Sequence, residues 1–113
     1  ASNAVLIAET VALAAKAGVD ACQLAPALAG GFADSLPLQI LAPRMATDSF
    51  EPVQWKVQTL LKDLDNAVAL AKENTSSTPI SALASQLLRL HAATGASLED
   101  LSSVVRLFKK TDL

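Results

Sequence analysis

Residues 53–73 read VQWKVQTLLKDLDNAVALAKE. Val53, Val57, Leu60, Leu64, Val68 and Ala71 recur at helical spacing and form one apolar stripe. Pro52 precedes the run and suits a helix start, so the pattern predicts a long helix over Val53 to Glu73. Trp55, Gln58, Thr59, Lys62 and Asn66 fall on the other face. Seven residues separate Trp55 from Lys62, which puts them on one side of that helix, roughly 10 Å apart along its axis. A tryptophan opposite the core stripe has two readings. It packs on a second helix layer or subunit, or it walls a cleft beside a cation that would suit a small carboxylate or a cofactor. Pattern alone favours packing.

Helical punctuation recurs on both sides of this segment, and no stretch alternates with the period of a strand. A first helix is predicted from about Asn3 to Ala17, ended by Gly18. It is apolar nearly all round, with Glu9 and Lys16 its only charges, and such a helix is usually buried on most sides. Asp20 offers a cap for a second helix, with Gln23 at the capping-box position, a bend at Pro26 and an end at Gly30-Gly31. Asp34 or Ser35 opens a short helix that has Pro37 in its first turn and that Pro43 should end. Met45 to Glu51 reads as a linker. After the long helix, Asn74 to Ser77 forms a polar turn, Thr78-Pro79 starts a fifth helix that Gly95 ends, and Ser97 caps a sixth, with Asp100 three residues on. The expectation is one all-α domain over 1–113, a bundle of about six helices.

The 113 residues carry nine basic and eleven acidic side chains, a net charge of −2. No basic field exists to draw in nucleic acid or an anionic membrane. The longest apolar run is far short of the ~20 residues a membrane span requires, and no signal-peptide pattern is found. Cys22 is the single cysteine, which fits a reducing, cytoplasmic setting. Apolar residues make up 51% of the chain and the mean hydropathy is +0.37. So apolar a chain is expected to cover itself with another domain, another subunit or both. Ser2-Asn3-Ala4 reads either as an expression scar or as native sequence.

Four motifs, in order and with compatible spacing, bear a resemblance to a known family. Ala8-Glu9, Ala12-Leu13-Ala14 and Ala17-Gly18-Val19-Asp20 form the first. Ser35 followed by Ala42-Pro43-Arg44-Met45 is the second, and Phe50 the third. The fourth is Leu60-Leu61-Lys62-Asp63-Leu64 with Ala67 and Ala71. Together they resemble the helical C-terminal domain of the 3-hydroxyisobutyrate dehydrogenases and their relatives, the tartronate semialdehyde and glyoxylate/succinic semialdehyde reductases. That domain is of the 6-phosphogluconate dehydrogenase C-terminal type.

The resemblance implies NAD or NADP as cofactor and hydride transfer to or from a small hydroxyacid, of the 3-hydroxyisobutyrate or 2-hydroxy-3-oxopropionate kind. It implies that Lys62 reaches the nicotinamide end of the dinucleotide, that Asp63 supports the site, and that Ser35 and Trp55 belong to the substrate pocket. Where the family usually has Phe, this chain has Trp55; where many members have Trp, it has Leu36. The substrate therefore does not carry over. The family's catalytic lysine lies upstream of the matched region, and no residue here corresponds to it. Gly30-Gly31 is no phosphate-binding GxGxxG loop. The expected partners are a Rossmann domain N-terminal to this one and further copies of the chain in a homodimer or higher homo-oligomer. Alone, this stretch is expected to be inactive. The competing reading is a helical dimerisation module without chemistry.

Other tempting residues have plainer readings. His91 lies on the stripe of Ile80, Ala84, Leu87 and Leu88 near a helix C-terminus, which favours a structural role. One His and one Cys assemble no metal set. Cys22 reads as a small apolar residue and Ser35 as an N-cap. Glu9 is expected to be paired or at an interface, and Lys109-Lys110 to offset the dipole of the last helix.

Overall fold

The computed structural model describes residues 2–109, in which six α-helices are joined by short turns. Helix α1 spans Ser2–Lys16. It stops where expected: Gly18 takes a left-handed φ of 77°, Val19 donates to the Ala14 carbonyl at 2.9 Å, and Gly18 to that of Ala15 at 3.3 Å. This 6→1 and 5→2 pair satisfies carbonyls that a helix end leaves open. Helix α1 packs on α3, α5 and α6 through Ala4, Val5, Ile7, Ala8, Val11 and Ala12. Its burial is one-sided, because Leu6 and Leu13 remain 61% and 67% exposed.

The expected second helix is divided. Asp20 caps a single 3-10 turn, Ala21–Gln23, by accepting from the Cys22 N–H at 3.0 Å, and α2 (Leu24–Leu28) follows. Pro26 thus falls in the first turn of α2, where its missing donor would have had no partner in any case. Helix α3 (Leu36–Thr47) is capped by the Ser35 hydroxyl, which accepts from the Leu38 N–H at 3.1 Å.

Pro43 does not end α3, contrary to expectation. The turn beyond it is held from outside. Met45 is fully buried, Thr47 Oγ1 donates to the Pro43 carbonyl, and Lys109 Nζ donates to the Met45 carbonyl at 2.7 Å. These anchors outweigh one lost backbone bond.

The largest departure lies at the start of the long helix. Helix α4 spans Val57–Glu73, four residues later than the stripe implied. Residues 53–56 form no helix: the chain bends at Gln54 and Trp55 and bridges from Lys56 to Asp100, lying against residues 97–101. Asp100 captures the Gln54 and Trp55 N–H groups, and the Ser97 and Glu99 carbonyls take those of Gln58 and Val57, both at 2.9 Å. The open donors of the first turn are satisfied by a distant backbone instead of by a preceding turn. Val53 accordingly leaves the stripe and is exposed, while Val57, Leu64 and Ala71 are buried.

Helix α5 (Pro79–His91) packs on α4, with Arg89 and Asp65 bridging them at 2.6 Å. A wider turn over Ala92–Ala96 closes at Gly95, φ 98°. Ser97 does not cap the last segment. Asp100 does, accepting from the Ser102 N–H at 3.1 Å as the 3-10 turn Leu101–Val104 leads into α6 (Val105–Lys109). The shift follows from burial: residues 100–105 plug the core, and a capping carboxylate there meets four hydrogen-bond donors and the Arg44 guanidinium.

Candidate functional site

Beside this non-helical segment lies an apolar cleft of about 210 Å³, lined by Asn3 and Ala4 of α1, Leu36, Pro37, Ile40 and Leu41 of α3, Leu60 of α4, and Trp55 and Leu101. Trp55 is 43% exposed and Leu36 73%. Large apolar side chains at the mouth of a cleft keep that surface only if something covers it or enters it.

Trp55 reaches this cleft by a route other than the expected one. It is not on α4, so its supposed helical register with Lys62 does not exist. It is set instead by its backbone. The Trp55 N–H donates to Asp100 Oδ1 at 3.2 Å, and its carbonyl accepts from the Leu101 N–H at 2.7 Å.

Asp100 is the buried hub of this region, 1% exposed. Oδ1 also accepts from Gln54 N–H at 2.8 Å. Oδ2 accepts from the Ser102 N–H and hydroxyl, and Arg44 Nη1 lies 3.1 Å away. Arg44 in turn donates to the Pro52 carbonyl at 2.8 Å. Burial alone would raise the Asp100 pKa, but the Ser102 hydroxyl and the Gln54, Ser102 and Trp55 N–H groups hold it below the usual carboxylate value. The carboxylate is charged, and every buried side-chain polar atom among the described residues has a partner. The sequence hinted at Asp100 only as a capping position; nothing local in it marks a residue whose partners lie 45 residues upstream.

Lys62 and Asp63 are exposed on α4, outside the lining of the cleft, and neither has an ion pair among the described residues. The Lys62 ammonium is therefore free to meet an anion. Ser35 is half-buried, its hydroxyl spent on the cap of α3, while the next residue, Leu36, lines the cleft. Asp34 beside it clamps the preceding loop. The Gly30 N–H and then the Gln39 side chain, with a lesser part from the Ser35 N–H, hold its carboxyl below the usual value against the opposing effect of burial.

His91 has the structural place expected of it, 2% exposed with Nε2 2.8 Å from Ser103 Oγ. Glu9 is exposed and forms no ion pair among the described residues. Lys109 serves as a tether, reaching Met45 and Asp48, and Lys110 lies outside the described residues. No three of His, Cys, Asp and Glu among the described residues gather as a metal set. No described helix is long and apolar enough to cross a membrane.

Comparison with known proteins adds to this geometry. A family profile described as the NAD-binding domain of NADP-dependent 3-hydroxyisobutyrate dehydrogenase matches residues 1–108. The 2-hydroxy-3-oxopropionate reductase of Escherichia coli (strain K12) is 35% identical over 104 residues, 92% of this chain and 35% of that protein. The chloroplastic glyoxylate/succinic semialdehyde reductase 2 of Arabidopsis thaliana is 29% identical over 102 residues, 90% of this chain and 28% of that protein. Among solved structures, 3-hydroxyisobutyrate dehydrogenase (ygbJ) from Salmonella typhimurium superposes with a TM-score of 0.87 at 21% identity, over 94% of this chain and 37% of that one. This likeness establishes the all-α fold. The chain spans about a third of the length of these relatives.

Proposed function

The chain belongs to the family of NAD-binding domains of NADP-dependent 3-hydroxyisobutyrate dehydrogenases, and from that premise we propose that it forms the helical C-terminal part of an NAD(P)-dependent β-hydroxyacid dehydrogenase or semialdehyde reductase. In this reading an N-terminal Rossmann domain holds the dinucleotide and carries the catalytic lysine. The nicotinamide, when bound, exchanges hydride with the alcohol carbon of a small hydroxyacid. This chain supplies pocket wall and charge. Trp55 and Leu36 cover the apolar side of the substrate, Lys62 faces the nicotinamide end of the dinucleotide, and Asp63 and Ser35 support them. A cytoplasmic setting goes with it.

The observation that carries the reading is the apolar cleft walled by Trp55 and Leu36, with a Lys62 on the adjoining helix that has no ion pair among the described residues. An all-α domain has no parallel-sheet crevice for a pyrophosphate, so the cofactor's diphosphate needs a second domain. The test is kinetic. In the intact enzyme, Trp55→Ala should raise KM for the hydroxyacid severalfold, and Lys62→Ala should lower kcat/KM. Both variants with unchanged kinetics would remove this cleft from the active site.

The same enzyme is proposed to be a homodimer or larger homo-oligomer. The exposed Leu6 and Leu13 of α1 and Ile80, Leu83 and Leu90 of α5 support that, since each is more than half exposed. The second reading, a helical dimerisation module without chemistry, draws on those same leucines. Unchanged activity in the Trp55 and Lys62 variants, with dissociation on charging Leu13, would favour it.

A further inference from the structure

We propose that Asp100 is a positioning residue for Trp55, and so sets the wall of the cleft from behind it. The case rests on where the bonds go. Trp55 belongs to no helix, and a four-residue non-helical segment without a fixed anchor would leave its indole free to swing. Its N–H and carbonyl are both taken, the first by Asp100 and the second by the backbone of Leu101. The adjacent Gln54 N–H goes to the same carboxylate oxygen.

Asp100 is itself rigid. It is buried, its second oxygen is filled by Ser102, and Arg44 clamps it to the carbonyl of Pro52, at the start of the same segment. One ion pair therefore holds the segment at two points, Pro52 through Arg44 and Gln54-Trp55 through Asp100. A carboxylate with two oxygens can do this because it accepts several N–H bonds at once in fixed directions. A merely stabilising core residue would hold the fold without dictating the order of one exposed tryptophan. The value of Trp55 for substrate rests on the function proposed above; its anchoring by Asp100 does not.

Trp55 is the only tryptophan in the chain, so its fluorescence reports the position directly. Asp100→Ala and Asp100→Asn are compared with the parent chain by emission maximum, acrylamide quenching and circular dichroism. Asp100→Ala should shift the emission to the red and increase quenching up to about twofold, as an indole now 43% exposed becomes free. Asp100→Asn keeps an acceptor oxygen and should recover part of the order. A folded Asp100→Ala chain with parental emission and quenching overturns the proposal. Hydrogen exchange on the parent chain decides the case if Asp100→Ala does not fold. The Gln54 and Trp55 amides should exchange at least about tenfold slower than free peptide, and free exchange at both refutes the anchor. In the intact enzyme, Asp100→Asn should raise KM more than it lowers kcat. A loosened Trp55 with unmoved KM would discard the pocket role of Trp55 and leave its anchoring intact.

Discussion

The Arg44 guanidinium lies 3.1 Å from the Asp100 carboxylate, which has no solvent exposure at all, although the two residues are 56 positions apart in the chain. This pair joins the end of α3 to the cap of the last segment. Removing one partner strands the other charge inside the protein. Asp100→Ala should therefore cost about 3–5 kcal/mol of stability at neutral pH, measured by urea unfolding. A loss below about 1 kcal/mol would mean that water reaches Arg44 freely.

The same carboxyl gives a pH dependence of defined sign. Its folded pKa is below the ordinary aspartate value of 3.8. The stability it contributes is complete above the unfolded value and is lost as pH falls through the folded one. Unfolding free energy should thus decline on acidification below about pH 4, and more steeply in the parent chain than in Asp100→Asn. Parallel acid limbs for the two chains would contradict this.

Lys62 and Leu88 should separate site from core. Leu88 is fully buried, so Leu88→Ala should lower stability by about 2–5 kcal/mol. Lys62 is exposed and bears no ion pair among the described residues, so Lys62→Ala should leave stability within about 0.5 kcal/mol. The loss should appear instead in kcat/KM of the intact enzyme. Thermal melts and steady-state kinetics on both variants check it. A melting temperature lowered as far by Lys62→Ala as by Leu88→Ala would make the lysine structural.

Gly18 tests the local code at the end of α1. Its φ of 77° is in the left-handed region, and no atom lies within 4 Å of where a Cβ would sit. Gly18→Ala should therefore cost about 1–2 kcal/mol through backbone strain alone. Gly18→Asn should cost less, because Asn tolerates that conformation. Equal melting temperatures for the Ala variant and the parent would show that α1 ends by other means.

The exposed face of α1 predicts association. Leu6 and Leu13, two turns apart and each more than half exposed, should draw copies of the chain together at micromolar concentration. Leu13→Glu should shift the population towards monomer. Sedimentation velocity on both chains is the check, and a monomeric parent chain would overturn the expectation.

The signals that could be read from sequence were local ones. Gly18 needs only its own backbone, Ser35 caps a helix three residues on, and the stripe from Val57 to Ala71 is a matter of period. The departures from the local pattern are also of one kind. The start of α4, the passage of α3 through Pro43 and the cap at Asp100 depend on partners tens of residues away. The Trp55 and Lys62 relation illustrates this well. A sound helical count joined them, yet Asp100 had removed Trp55 from the helix. Pocket membership of Trp55 was suggested by family resemblance, whereas its anchor was visible only once the chain had folded.

The borrowed first turn of α4 also imposes an order in time. The carbonyls of Ser97 and Glu99 that complete it lie some forty residues downstream, beyond α5. Helices α4 and α5 can begin to pair early, through contacts between neighbours in sequence. The leading end of α4 must wait, frayed, until the last segment returns and docks. Closing that long loop is an entropic barrier that local helix formation does not share. The wall of the cleft should therefore be among the last parts of this domain to become ordered on the way in, and among the first to melt on the way out.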